Sequence, residues 1–184
     1  WNSMAGTTDV EWTRQISRHQ ALVDALKAYR QTGKTQYLTF IQKYLWDWLS
    51  HNDFPVQEIE RFDKGKWANM EPQWRTLDSG IRARAWIKLW ENWKGEPVNK
   101  KIRFLMLMSL LDHADYLRWH HRSDGNWKVN EMDGLVQISL VFPEFADSNS
   151  WYGYGIGQLA KEIDNQFYPD GAQKELTFHY GQIV

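Results

Sequence analysis

The sequence predicts an all-α protein built from successive antiparallel helix hairpins. Apolar residues recur at three- and four-residue steps in long stretches, Gly and Pro punctuate the gaps, and no apolar/polar alternation is sustained enough to write a sheet. With 184 residues, 42% of them hydrophobic, the chain can bury one sizeable core, and one domain is expected.

The first helix runs from Val10 to about Tyr29, with Trp12, Ile16, His19, Val23 and Leu26 on one stripe, and Gly33 stops it. A second runs from about Thr35 to Leu49 with Tyr37, Ile41, Tyr44 and Trp48 in step, so the two make a hairpin. Residues 51–73, with Pro55, Gly65 and Pro72, read as a long connecting loop. A third helix spans roughly Leu77 to Trp93 and ends before Gly95 and Pro97; a fourth runs from Val98 to about His120. The centre of the fourth, "FLMLMSLL" at 104–111, is apolar nearly all round and reads as buried on every side. The fifth spans Asn126 to Val141. The sixth runs from about Ser150 to Phe167, with Tyr152, Ile156, Leu159, Ile163 and Phe167 in step, followed by a "PDG" turn at 169–171. Such hairpins close into an α/α toroid or stack as a solenoid, and periodicity alone does not choose between them.

A net charge of −1 is not the footprint of a nucleic-acid binder, and no run of 18 apolar residues suggests a membrane span. There is no cysteine, and His113 with Asp112 and Asp115 would point apart on a helix, so neither a metal nor another cofactor is predicted. The chain opens on Trp1 rather than Met, and we expect it to be a segment of something longer. Twelve Trp are the compositional oddity: flat rings pack protein cores, and they also pack against the apolar faces of sugars. Taken residue by residue, the core is the commoner role. Asn126, just after Gly125 at a predicted helix start, reads as an N-cap, Trp127 as a packing residue and His19 as a core histidine. Glu131 and Asp133 are two apart and fall on different faces, so they do not form a carboxylate pair.

Five segments in one order carry more than any of them alone: "WRTLDSGIRARAW" at 74–86, "LLDHADYL" at 110–117, "GNWKVNEMDGL" at 125–135, "FPEF" at 142–145 and "QFYPDGAQKELTFHY" at 166–180. Together with "RHQALVDALKAYRQTG" at 18–33, they resemble the N-terminal domain of the heparinase II/III-like polysaccharide lyases over nearly the whole chain. The resemblance implies part of an incomplete α/α toroid, with a C-terminal β domain of the same chain as its partner. It also implies cleavage of an acidic, uronate-containing polysaccharide by β-elimination, and a periplasmic or secreted bacterial protein.

Elimination removes the C5 proton beside a carboxylate, so negative charge builds there and donors must be aimed at it. The resemblance carries that role to Asn126 and carries proton transfer to Tyr180. A tyrosine titrates near 10 in water, so its use as a base requires a cation or imidazole beside it. Trp127, Arg82, Trp74 and His179 follow as substrate-binding residues, with a structural salt bridge the equal alternative for Arg82. Where relatives carry His directly after the motif's Asn, this chain has Trp127, which places it nearer the heparinase III-like branch than the alginate lyases. A frequent His after the tyrosine is Gly181 here, which leaves room for a non-catalytic carbohydrate-binding toroid. A glycoside hydrolase using Glu131 or Glu175 as acid ranks last.

Overall fold

The computed structural model describes Gly6 and residues 9–54, 72–93 and 95–174. Among them are seven α-helices: α1 Glu11–Ser17, α2 Gln20–Thr32, α3 Gln36–His51, α4 Thr76–Asn92, α5 Lys100–His120, α6 Gly125–Val141 and α7 Ser148–Gln166, with a 3-10 turn at Pro72–Trp74 before α4. There is no strand among the described residues, and an isolated antiparallel bridge from Phe167 to Gln173 closes the predicted "PDG" turn. Most of the predicted loop over 51–73 lies outside the described residues.

The predicted first helix is two helices. His19 breaks it in the left-handed region at φ 59°, a conformation that costs a non-glycine residue about 1 kcal/mol. The compensation is tertiary: buried His19 accepts a hydrogen bond at Nδ1 from Trp86 Nε1 at 2.9 Å and packs edge-on against Trp48. Because the break rotates α1, Trp12 lies exposed instead of continuing the inward stripe, and Thr13 and Ser17 are buried in its place. Gly33 ends α2 as expected, at φ 67°, with its N–H on the Tyr29 carbonyl.

Each of α2, α4 and α6 packs against the helix that follows it, and the contacts α2 to α4 to α6 and α3 to α5 to α7 run in two successions. Two layers of alternating helices are the arrangement of an α/α toroid, of which these hairpins form part. The core between the layers is filled by Leu22, Ile41, Leu45, Trp48, Trp86, Leu89, Met106, Leu110, Leu117, Leu135 and Ile138. Trp48, Trp74, Trp86, Trp93 and Trp151 are buried, whereas Trp12, Trp46 and Trp119 are exposed, so packing is the commoner use of indole here.

Two predicted faces are corrected. In α5 Met106 and Leu110 are buried while Phe104 and Met108 face out, so the apolar centre has one inner face. In α7 the stripe of Tyr152, Ile156 and Ile163 is exposed, and the inner face is Ser148, Trp151, Gly155, Glu162 and Gln166. The reason is proximity. A β-carbon on Gly155 would stand 2.6 Å from the Val136 side chain, so only a glycine lets α7 lie this near to α6.

The closest approach is between α4 and α6. A β-carbon on Gly80 would stand 2.6 Å from the Asn130 carbonyl oxygen, and one on Gly134 would stand 2.8 Å from the Gly80 Cα, so the two backbones touch. Gly80→Ala and Gly134→Ala should each lower unfolding stability by about 1–3 kcal/mol in urea denaturation, because backbone must move to admit the methyl. Gly153→Ala, with open space around it, should instead raise stability by up to about 1 kcal/mol through helix propensity.

Candidate functional site

Arg82 and Trp74 lie inside the core, 0% and 4% exposed. Arg82 donates from Nε to His113 Nε2 at 2.9 Å, from Nη1 to the Ser17 carbonyl at 2.9 Å and from Nη2 to Ser79 Oγ at 3.2 Å. Its guanidinium lies 4.4 Å from the Trp48 ring centroid and 5.3 Å from that of Trp74. Burial brings its pKa down to about 9, against the opposing charge of Asp78, so it remains a cation at neutral pH. No carboxylate forms an ion pair with it among the described residues; rings, a carbonyl, a hydroxyl and an imidazole stand where the alternative reading placed a salt bridge. His113 donates from Nδ1 to the Ser109 carbonyl at 2.5 Å, which fixes Nε2 as the acceptor for Arg82. Burial first, and then the Arg82 charge, hold its pKa well below the ordinary histidine value, so it stays neutral. This cluster ties the end of α1, α4 and α5 together from within.

A different polar set gathers around residues 121–125, where α5 turns into α6. Glu131, fully buried on α6, accepts from the Thr76 hydroxyl at the start of α4 and from the Arg122 N–H at 2.8 Å. Glu162, 1% exposed on α7, accepts from the Gly125 N–H at 3.1 Å and from Gln166 Nε2 at 2.9 Å. Lys128 Nζ reaches Glu162 at 3.1 Å and donates to the Ser123 carbonyl at 3.0 Å. Burial pushes the Glu162 carboxyl upward, but hydrogen bonds from Gln166, Lys128 and the Gly125 N–H, with the Lys128 charge, outweigh it and leave its pKa below the usual value. His121 closes the other side, through Nδ1 to the Arg122 carbonyl and Nε2 to the Tyr154 hydroxyl, each at 2.6 Å.

This arrangement corrects the expected cap. Asn126 sits within the first turn of α6, after Gly125 at φ 83°, and the preceding residue, Asp124, makes no capping bond either. One of the first-turn donors that has no acceptor within its own helix, the Gly125 N–H, is taken by Glu162 from α7, a negative charge at a helix N-terminus. Asn126 uses its backbone carbonyl to accept from Asn130 Nδ2 at 2.9 Å, and its half-exposed side-chain amide has no hydrogen-bond partner among the described residues. Next to it the Trp127 ring meets two guanidinium groups, Arg75 and Arg122, each 4.9 Å from its centroid. Asn126 and Trp127 are therefore brought together at one helix start, whereas Arg82 and Trp74 are in the interior. His179 and Tyr180 lie outside the described residues.

The family model described as Heparinase II/III N-terminus matches residues 1–184. The chain belongs to that family. A heparin-sulfate lyase of Bacteroides thetaiotaomicron is 27% identical over 184 residues, covering 98% of this chain and 24% of the relative. A heparin-sulfate lyase of Pedobacter heparinus is 31% identical over 180 residues, covering 95% and 25% respectively. Among solved structures, heparinase III superposes with a TM-score of 0.77 at 24% identity over 92% of this chain and 25% of that one. A heparan sulfate lyase mutant from Pedobacter heparinus gives 0.71 at 28% identity over 97% and 27%. This heparinase II/III N-terminal chain thus spans about a quarter of the length of the relatives it matches. No helix among its described residues is long and apolar enough to cross a membrane.

Sequence reasoning missed Arg75, Arg122, Lys128 and Glu162, and it weighed Glu131 only as a carboxylate-pair partner or a hydrolase acid, not as a buried tie between helices. Only Arg75 left a local trace, three residues before Asp78, whose carboxylate it grips at 2.6 and 2.9 Å. Asp78 also takes Arg18 at 2.7 Å, sixty residues away in the chain.

Burial pushes the Glu131 carboxyl up from 4.5 to about 7, against the Thr76 and Arg122 hydrogen bonds and the charges of Arg122 and Lys128. An acid that binds its proton more tightly folded than unfolded stabilises the fold most below its unfolded pKa. That contribution disappears as pH rises through the folded value, which places the window at about pH 4.5–7, with a size of roughly 3 kcal/mol. Glu131→Gln can keep both hydrogen bonds, since its amide oxygen accepts from Arg122 and its NH₂ donates to a reoriented Thr76 hydroxyl. Urea denaturation at pH 5, 6, 7 and 8 should show wild-type stability falling across this window relative to Glu131→Gln; parallel pH curves would contradict the assignment.

Proposed function

We propose that this domain is the helical portion of a polysaccharide lyase that cleaves heparan sulfate-like, uronate-containing chains by β-elimination. The observation that carries the reading is the Asn126 amide, placed at the first turn of α6 with no hydrogen-bond partner among the described residues, while Glu162 takes the neighbouring Gly125 N–H. The family membership and its relatives among the heparin-sulfate lyases support the substrate class.

In this reading the Asn126 amide donates to the uronate carboxylate and stabilises the negative charge that builds as the C5 proton leaves. The C5–H and C4–O4 bonds break, the C4–C5 double bond forms, and the leaving oxygen takes up a proton. Withdrawing one preorganised donor from such a charge typically costs two to three orders of magnitude in rate. Tyr180 transfers protons and His179 contacts substrate; both roles rest on the family pattern in "PDGAQKELTFHY". Trp127 presents a ring edge to the same substrate while its neighbouring guanidinium groups hold it. Arg82 and Trp74 support the site from the core, bearing on its position rather than touching sugar. A C-terminal β domain of the same chain completes the cleft, and the protein works in the periplasm or outside the cell.

The test is the ultraviolet absorbance of an unsaturated uronate released from heparan sulfate by the full-length protein. Asn126→Ala and Tyr180→Phe should each reduce kcat about 10²-fold or more while leaving Tm near wild type. Wild-type rates in both variants would refute the assignment. Polysaccharide binding without any turnover by the wild type would mark a carbohydrate-binding toroid instead.

A further inference from the structure

Among the described residues, Arg122 is a cation beside the start of α6 without a carboxylate partner. Arg75 is bidentate on Asp78, Arg18 is on Asp78 and Glu11, and Lys128 is paired with Glu162. The Arg122 guanidinium, by contrast, has no carboxylate within ion-pair distance and no side-chain hydrogen bond among the described residues. Glu131 feels its charge, but the two Glu131 oxygens are occupied by the Thr76 hydroxyl and by Arg122's own N–H.

The same side chain is held in place. Its backbone is fixed on both sides, by Glu131 at the N–H and by His121 at the carbonyl, and its guanidinium lies over the half-buried Trp127 ring at 4.9 Å. Arginine carries five N–H donors in a planar fork that matches two oxygens of a carboxylate or sulfo group. A fork already stacked on a ring loses less freedom on binding than one in solvent. Arg122 is four residues from Asn126, and Trp127, the ring it stacks on, is the next residue after that asparagine.

We propose that Arg122 is a specificity-determining residue that binds an anionic group of the polysaccharide, a sulfo group or a second uronate carboxylate, next to the sugar whose carboxylate Asn126 holds. This rests on the function proposed above. The same geometry explains why a tryptophan follows Asn126: its ring orients the guanidinium toward substrate.

The test compares full-length wild type, Arg122→Gln and Arg122→Lys on heparan sulfate and on its unsulfated backbone polysaccharide, with Tm measured for each. Arg122→Gln should raise KM about tenfold or more with kcat within about threefold and Tm near wild type, and Arg122→Lys should recover part of the loss. A KM effect confined to heparan sulfate assigns the sulfo group, and an equal effect on both substrates assigns the carboxylate. Unchanged KM on both substrates, or a fall in kcat and Tm with KM unchanged, overturns the proposal. If the wild type releases no unsaturated product, the lyase reading fails separately. Arg122 is then judged by calorimetric binding of heparan sulfate oligosaccharides, where weaker binding by Arg122→Gln supports the site and equal binding overturns it.

Discussion

Glu131 ties its own helix to the turn before it and to the start of α4, 55 residues back in the chain. From the second turn of α6 its buried carboxyl reaches the first residue of α4 and the second residue of the turn that precedes α6 itself. It can do so because Gly80 and Gly134 let the α4 and α6 backbones touch. A side chain at either glycine would hold the helices apart, and both the Thr76 hydroxyl and the Arg75–Trp127 contact depend on the same spacing. Burying a carboxyl is costly, and the rise of its pKa to about 7 records that cost. Two hydrogen-bond donors offset it, and the result is a helix start held in place by polar groups in the interior.

The helices were legible where termination is local. Gly33 adopts the left-handed conformation that only glycine takes readily, and α4 ends just ahead of Gly95 and Pro97. The reading failed where the reason for a conformation lies elsewhere in the chain. Nothing beside His19 marks a break, because the hydrogen bond that favours it comes from Trp86, 67 residues later. In α7 the apolar stripe pointed the wrong way because the inner face is chosen by Gly155 and by the buried Glu162, and periodicity counts neither as core.

Of the candidate site, the adjacency of Asn126 and Trp127 was legible in the sequence, and what surrounds them was not. Asn126 and Trp127 stand together at a helix start as their segment suggested, but the asparagine lies inside the first turn, and it is a carboxylate 36 residues further on that meets the first N–H of the helix. Arg82 differs in the other direction: its segment suggested a substrate-binding residue, with a structural salt bridge the equal alternative, yet His113, Ser17 and two indoles give it a fully buried place. Pairings over tens of residues are set by packing, which a single sequence does not display. Here they join loop amides to buried acids and so convert a connecting turn into a fixed support for Asn126.

That the turn is held by Glu131 and Glu162 is the claim on which the site depends, and amide hydrogen exchange resolved to single residues in the full-length protein tests it directly. The Arg122 and Gly125 N–H groups, bonded to the two buried carboxylates, should exchange at least about a hundredfold more slowly than those of Ser123 and Asp124, which have no acceptor among the described residues. Exchange of all four amides together at the rate of an open loop would contradict the account.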